Sequence, residues 1–163
     1  AGEPMLREIR VRDAYLRFAG WDPWAGWDQD RFDFDMATVI EPKLKELGDG
    51  VFLMDYPVQA ASLARIVKGT DGLPHAERWE FYWDGMELAN CFTELCDEDE
   101  QRRRFAQAKA ERRELGESDY PLDEDFFACL PQIGSAAGVA LGVDRLVMVL
   151  LGAKDILSVR AGE

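Results

Sequence analysis

The sequence predicts an α+β fold in which an antiparallel β-sheet is flanked by helices, and three observations carry that prediction. Residues 77–95, ERWEFYWDGMELANCFTEL, are two aromatic and apolar runs that meet at Asp84-Gly85. Asp-Gly marks a hairpin because both central positions of a type I′ turn need positive φ. A second alternating run, GVALGV at 138–143, feeds the helical pattern DRLVMVLL. Between them DEDEQRRRFAQAKAERRELG reads as a polar helix with acidic residues first, basic ones later and Gly116 as terminator.

Taken in order, residues 4–18 read as a helix, with Leu6, Ile9, Tyr15 and Leu16 on one face. GWDPWAGWDQD then reads as a loop whose three tryptophans lie against a neighbouring surface. From Asp30 a helix follows, ending or kinking near Glu41 because Pro42 has no N–H to give, and Gly48 caps it. GDGVFLMDYP supplies a short apolar strand, and SLARIV an amphipathic turn or short helix. After the hairpin and the polar helix, DEDFFACL at 123–130 forms another short helix with Phe126, Phe127 and Leu130 inward. No repeat, low-complexity tract or linker interrupts the 163 residues, which suit a single domain spanning residues 1–163.

Composition narrows the function classes. With 47% hydrophobic and 31% charged residues the chain is not disordered. A formal net charge of -13 makes nucleic acid an unfavourable partner for this chain alone. No apolar run approaches the ~20 residues that cross a bilayer, and AGEPMLREIR lacks the basic-then-apolar plan of a signal peptide, so no membrane partner is expected. Cys91, Cys96 and Cys129 are odd in number and form no CxxC pair, which fits a reducing cytoplasm.

The hairpin carries the first candidate chemistry. If Trp83 pairs with Met86, Tyr82 faces Glu87 and Glu80 faces Ala89, so that Glu80 and Glu87 become diagonal neighbours on one face. Carboxylates ~7–8 Å apart at Cα can close on a hard divalent cation; the same spacing also fits two glutamates on the wet face of a sheet. Asn90, Phe92 and Glu94 alternate with the opposite parity to Glu87. Either they face the core, or a bulge after Leu88 re-aims the strand, and the bulge is the better expectation because Asn90 and Glu94 are costly to bury.

The tail carries the second. Gly138, Ala140 and Gly142 leave one strand face nearly bare. Asp144 is expected to cap the helix that follows, and Arg145 falls in its first turn, where a cation needs an anionic partner. A bare strand beside an arginine suits an adenine and its phosphates; it equally suits close helix-to-sheet packing with Arg145 on a surface carboxylate.

GVALGVDRL resembles motif 3 of the class II aminoacyl-tRNA synthetases, and WEFYWDGMELANCFTEL resembles the strand pair before it in the lysyl, aspartyl and asparaginyl subgroup. RDAYLRFAGWDP, VIEP and YPVQAASLA extend the likeness over roughly residues 8–158, towards lysyl-tRNA synthetase and its short paralogues that lysylate elongation factor P. Gln59 looks like the paralogues, since lysyl-tRNA synthetases usually carry glutamate there.

The resemblance implies an ATP-dependent ligase that activates a lysine-type amino acid as an adenylate and transfers it to an elongation factor P-like protein or to tRNA. It assigns Glu80 and Glu87 to Mg2+, Glu87, Leu88, Gly142 and Arg145 to ATP, with Arg145 the catalytic clamp, and Asn90, Phe92 and Glu94 to the amino acid. Such chemistry is mainly positioning and charge neutralisation, and His75 is the only histidine, without a partner in the sequence. These residues read as a partial class II catalytic core that carries motif 3 and lacks counterparts of motifs 1 and 2. Motif 1 builds the family dimer, so a homodimer is an expectation for the intact protein, and this chain alone is expected to be inactive. Cys91 stands where glycine is common, an expected narrowing of the pocket beside Asn90. Two other readings share the same residues: a non-catalytic synthetase-like binding module, and a fragment of a true lysyl-tRNA synthetase.

Overall fold

The computed structural model describes residues 3–160. Strand β1 (Leu6–Arg10) runs directly into a short helix, α1 (Val11–Ala14), which continues as a π turn through Ala19. The helix expected over 4–18 is therefore a strand in its first half. Leu6 and Leu16, two of the four residues assigned to an apolar face, are exposed. Residues 6–10 instead lie parallel to β2 (Gly50–Tyr56), with Leu6 beside Gly50 and Arg10 beside Met54. Backbone pairing with a distant strand outweighs a four-residue helical pattern.

Asp28 caps α2 (Gln29–Asp35), its carboxylate accepting the Arg31 N–H at 3.0 Å. A π turn over Met36–Ile40 separates α2 from α3 (Glu41–Leu44), and Pro42 lies at the start of α3 where its missing donor is not needed. The expected break near Glu41 thus takes the form of a π turn. Gly48, the expected cap, serves a close approach instead: a Cβ there would stand 2.6 Å from the Met5 carbonyl oxygen.

The sheet order is β1-β2-β4-β5-β6, with β3 (Ile66–Lys68) on the start of β4 (Pro74–Trp83); β5 spans Met86–Thr93 and β6 Ala137–Leu141. Every pair is antiparallel except β1 with β2. SLARIV resolves into a turn leading to β3. Asp84 and Gly85 have φ of 48 and 77, the left-handed values a type I′ turn demands. Helix α4 (Glu98–Glu114) is capped by Asp97, and α5 (Glu124–Ile133) by Asp123. Phe127 and Leu130 are buried as expected, whereas Phe126 is exposed and packs edge-on to Phe127. Helix α6 (Val143–Leu151) follows β6, and its N-cap is Gly142, not Asp144, which pairs with Arg160 at 3.6 Å.

The core lies between one sheet face and the α1–α3 segment. Val11, Tyr15, Phe32, Ile40 and Leu44 meet Val51, Leu53 and Tyr82 there. Tyr15 stacks on Phe32 with ring centroids 4.8 Å apart and donates to the Phe32 carbonyl oxygen at 2.6 Å. Trp21, Trp24 and Trp27 pack on the rim of this cluster, as the tryptophan loop predicts. Among the described residues no helix is long and apolar enough to cross a membrane.

Candidate active site

The hairpin register explains how the site is assembled. Trp83 faces Met86 and Tyr82 faces Glu87, but Phe81 then faces Ala89 and Glu80 faces Asn90. Leu88 is the extra residue of a bulge, and from it onward the parity of β5 reverses. The expected Glu80–Ala89 pair is therefore replaced by Glu80–Asn90. The expected bulge is present, and it turns Asn90 and Phe92 onto the face that holds Arg78, Glu80, Tyr82 and Glu87. Glu80 and Glu87 remain diagonal, because Glu87 is still opposite Tyr82. On the far side of β5, Asn90 pairs with Ala140 and Phe92 with Gly138, so the bare strand face lies on the same side.

Glu80 is almost fully buried, and the protein itself occupies both of its oxygens. Oε1 accepts from Arg78 Nη2 at 2.6 Å and from Asn90 Nδ2 at 3.2 Å; Oε2 accepts from the Tyr82 hydroxyl at 2.6 Å. Arg78 also donates to the Ala60 carbonyl oxygen at 3.1 Å and lies over the Tyr56 ring, 4.4 Å from its centroid. Burial and the adjacent Glu80 charge push the Tyr82 phenol up, so it remains a donor. The charge of Glu80 is thereby neutralised within the sheet. It positions Asn90 and Tyr82, and its Oε2 accepts a single hydrogen bond.

Glu87 and Arg145 form the second group. Arg145 Nη1 donates to the Glu87 carbonyl oxygen at 2.9 Å and to its Oε2 at 3.2 Å, with both side chains accessible. Here is the anionic partner that an arginine in the first turn of α6 requires. The Gly142 N–H donates to the Leu88 carbonyl oxygen at 2.8 Å, and the Leu88 side chain is buried. Leu88 thus ties β5 to α6 through its backbone instead of presenting its side chain.

Two cavities share Glu41 and Glu87 as walls. One, of ≈ 430 Å³, adds Tyr56, Gln59, Arg78 and Glu80; the other, of ≈ 510 Å³, adds Arg145, Met86, Met148 and Lys154. Glu41 was not legible as a site residue. Burial, then the nearby Glu80, pushes its carboxyl above the ordinary range. Arg78 shares strand parity with Glu80 and could have been found by that rule; Glu41 lies in the VIEP segment of the resemblance, which gave it no role.

Glu94 stands apart from both groups. Its backbone is fixed, the N–H donating to the Ala136 carbonyl oxygen at 2.9 Å. Its half-buried carboxylate has no hydrogen-bond or ion-pair partner among the described residues and lies over Gly138. Cys91 faces Trp79 and Val139 on the opposite side of the sheet from Asn90, so it does not narrow the pocket. His75, at the start of β4 opposite Val67 of β3, approaches Asp55 at 3.5 Å, beside the ion pairs of Arg10 with Asp55 and Asp71.

No three of the described His, Cys, Asp and Glu residues are grouped to hold a metal by themselves. The arrangement fits a cation shared with a phosphate-bearing ligand, with Glu87 and Glu41 as the carboxylates facing the cavities. Residues 4–161 match the family model described as tRNA synthetases class II (D, K and N). The chain belongs to this family. Curated relatives of this class II chain are named elongation factor P--(R)-beta-lysine ligase. Those of Histophilus somni (strain 2336) and Photorhabdus laumondii are 40% and 46% identical, each over 77% of the chain and 38% of the relative. That of Avibacterium paragallinarum is 45% identical over 68% of the chain and 34% of the relative. The class II chain therefore spans little more than a third of the length of these relatives.

Proposed function

We propose that this chain is the ATP- and amino-acid-binding part of a ligase that activates a lysine-type amino acid and transfers it to an elongation factor P-like protein in the cytoplasm. One observation carries the reading: a half-buried carboxylate, Glu94, without a partner among the described residues, on the same sheet face as the Glu87–Arg145 pair. A carboxylate without a cation is costly to bury, and an amino group on the ligand offsets that cost. Asn90 and Phe92 line the approach to it, and the relatives named (R)-beta-lysine ligases act on such an amine.

In this reading the amino-acid carboxylate attacks the α-phosphorus of ATP, forming a C–O–P linkage and expelling pyrophosphate. The acceptor amine then displaces AMP. Arg145 and Gly142, where β6 passes into α6, hold the adenine and terminal phosphate. Glu87 and Glu41 would hold Mg2+, which neutralises phosphate charge when bound, while Glu80 keeps Asn90 and Tyr82 in place. The sequence bears no counterpart of the motif 2 arginine on the α-phosphate, so binding and turnover separate in this chain.

A net charge of -13 favours a protein acceptor over tRNA, whose phosphates this surface repels. The test is a calorimetric titration with ATP–Mg2+, lysine and (R)-β-lysine, alongside amino-acid-dependent ATP–pyrophosphate exchange. Both ligand classes are expected to bind, with negligible exchange. Absence of amino-acid binding overturns the reading, and robust exchange overturns the division of labour.

A further inference from the structure

We propose that Gly138 is a positioning residue for the amino-acid substrate: lacking a Cβ, it lets the Glu94 carboxylate lie against β6 and face the substrate amine. The inference deepens the reading above and rests on its assignment of Glu94.

The demand for glycine at 138 has a single source. A Cβ built there stands 2.9 Å from Glu94 Oε1, closer than a Cβ tolerates, and meets no other atom within 4 Å. Its φ lies outside the left-handed region, so the backbone itself does not require glycine. The position is exposed on β6 and pairs with Phe92. Glycine weakens a strand through its backbone entropy and missing side chain, so local propensity favours almost any other residue. What remains is space for one carboxylate oxygen.

That space matters because nothing else orients the carboxylate. Glu94 has its backbone fixed by Ala136 and by a bridge to Ala64, yet among the described residues its side chain meets no donor and no cation. Its direction is set by what it rests on. A methyl group at 138 leaves the strand intact and turns the flexible end of Glu94 away, separating substrate recognition from folding. Gly142 and Arg145, past the other end of β6, and Glu87, near the start of β5, are untouched.

The experiment is calorimetry on the 163-residue chain with lysine and (R)-β-lysine, and separately with ATP–Mg2+, for the wild type, Gly138→Ala, Glu94→Gln and the double variant Gly138→Ala/Glu94→Asp. Gly138→Ala is expected to weaken amino-acid binding at least about tenfold, the size of one charge-assisted hydrogen bond, with ATP affinity and melting temperature retained. Aspartate, one methylene shorter, clears the new methyl group, so the double variant is expected to regain part of the loss. If Gly138→Ala binds the amino acid like the wild type while Glu94→Gln does not, the role of Gly138 is refuted and the substrate reading stands. If Glu94→Gln binds like the wild type, the substrate reading itself is refuted. A parallel loss of ATP affinity in Gly138→Ala reveals general damage and also overturns the inference, as does a double variant no better than Gly138→Ala.

Discussion

The two ends of the sheet are built to different rules. At the β2–β4 end, the α1–α3 segment closes over the strands, and Val11, Tyr15, Leu44 and Leu53 are fully buried. At the β6–α6 end the residues are just as apolar, yet Val139, Leu141, Val143, Leu150 and Leu151 are all at least half exposed. Gly138, Ala140, Gly142 and Arg145, which the proposed function places against ligands, all belong to this open end. Burial is concentrated where side chains interlock, and the proposed recognition lies where the backbone is bare. A closed core cannot admit a nucleotide, and an open strand of small residues contributes little to folding.

The sharpest way to break that comparison is to truncate one residue at each end. Tyr15→Ala removes a stacked ring and a buried hydrogen bond, and is expected to destabilise the chain by about 3–5 kcal/mol. Leu151→Ala, at an exposed position of α6, is expected to stay within about 0.5 kcal/mol. Urea denaturation of both variants decides the matter; equal losses would mean that the two ends fold as one interlocked core.

How far this division could be read beforehand varies along the chain for physical reasons. The hairpin was legible because Asp-Gly fixes a turn locally, and the turn fixes the first two cross-strand pairs. The bulge at Leu88 was legible from chemistry, since an unbroken strand would have buried Asn90 and Glu94. The Glu80–Ala89 pair was misread because the bulge begins one residue before that position, at Leu88. Residues 6–10 were misread because a parallel partner some 44 residues away leaves no local trace. Asp144 was misread as a cap because Gly142, tied to the Leu88 carbonyl, starts α6 two residues earlier. Glu41 entered the sequence reading only within VIEP, with no role of its own: its raised pKa comes from burial and then from Glu80, which only tertiary folding brings to it.

A second contrast lies between two arginines that each hold a glutamate. Arg78 and Glu80 are largely buried and share their hydrogen bonds with Asn90, Tyr82 and Ala60. Arg145 and Glu87 are accessible, with side-chain exposures of 48% and 36%. Removing one partner of a buried pair strands the other charge, so Arg78→Met is expected to cost about 3 kcal/mol. Arg145→Met is expected to cost less than about 1 kcal/mol. Thermal melts at low and high salt sharpen the distinction, because screening weakens only the accessible pair appreciably. Salt-sensitive stability of the Arg78 pair, read as the difference between Arg78→Met and the wild type, would contradict its enclosed character.

The finest test concerns pH, where Glu41 and Glu100 move in opposite directions. Arg103 and then Arg104 hold Glu100 down at about 2, from an ordinary value of 4.5. The unfolded chain binds that proton more readily than the folded one, so Glu100 adds stability above its unfolded pKa and loses it as pH falls towards about 2. For Glu41 the sign reverses. Burial and Glu80 raise its pKa on folding, so the folded chain binds the proton more readily, and stability falls as pH rises from 4.5 through the raised value. Glu41→Gln is expected to remove that decline, leaving the variant as stable as the wild type at low pH and more stable at neutral pH. The gain, read from denaturant midpoints across pH 4 to 8, marks a carboxylate kept at the wall of both cavities against the interest of folding. A Glu41→Gln variant that loses stability at neutral pH would show instead that Glu41 is a structural partner of Tyr82, and that the open end alone carries the site.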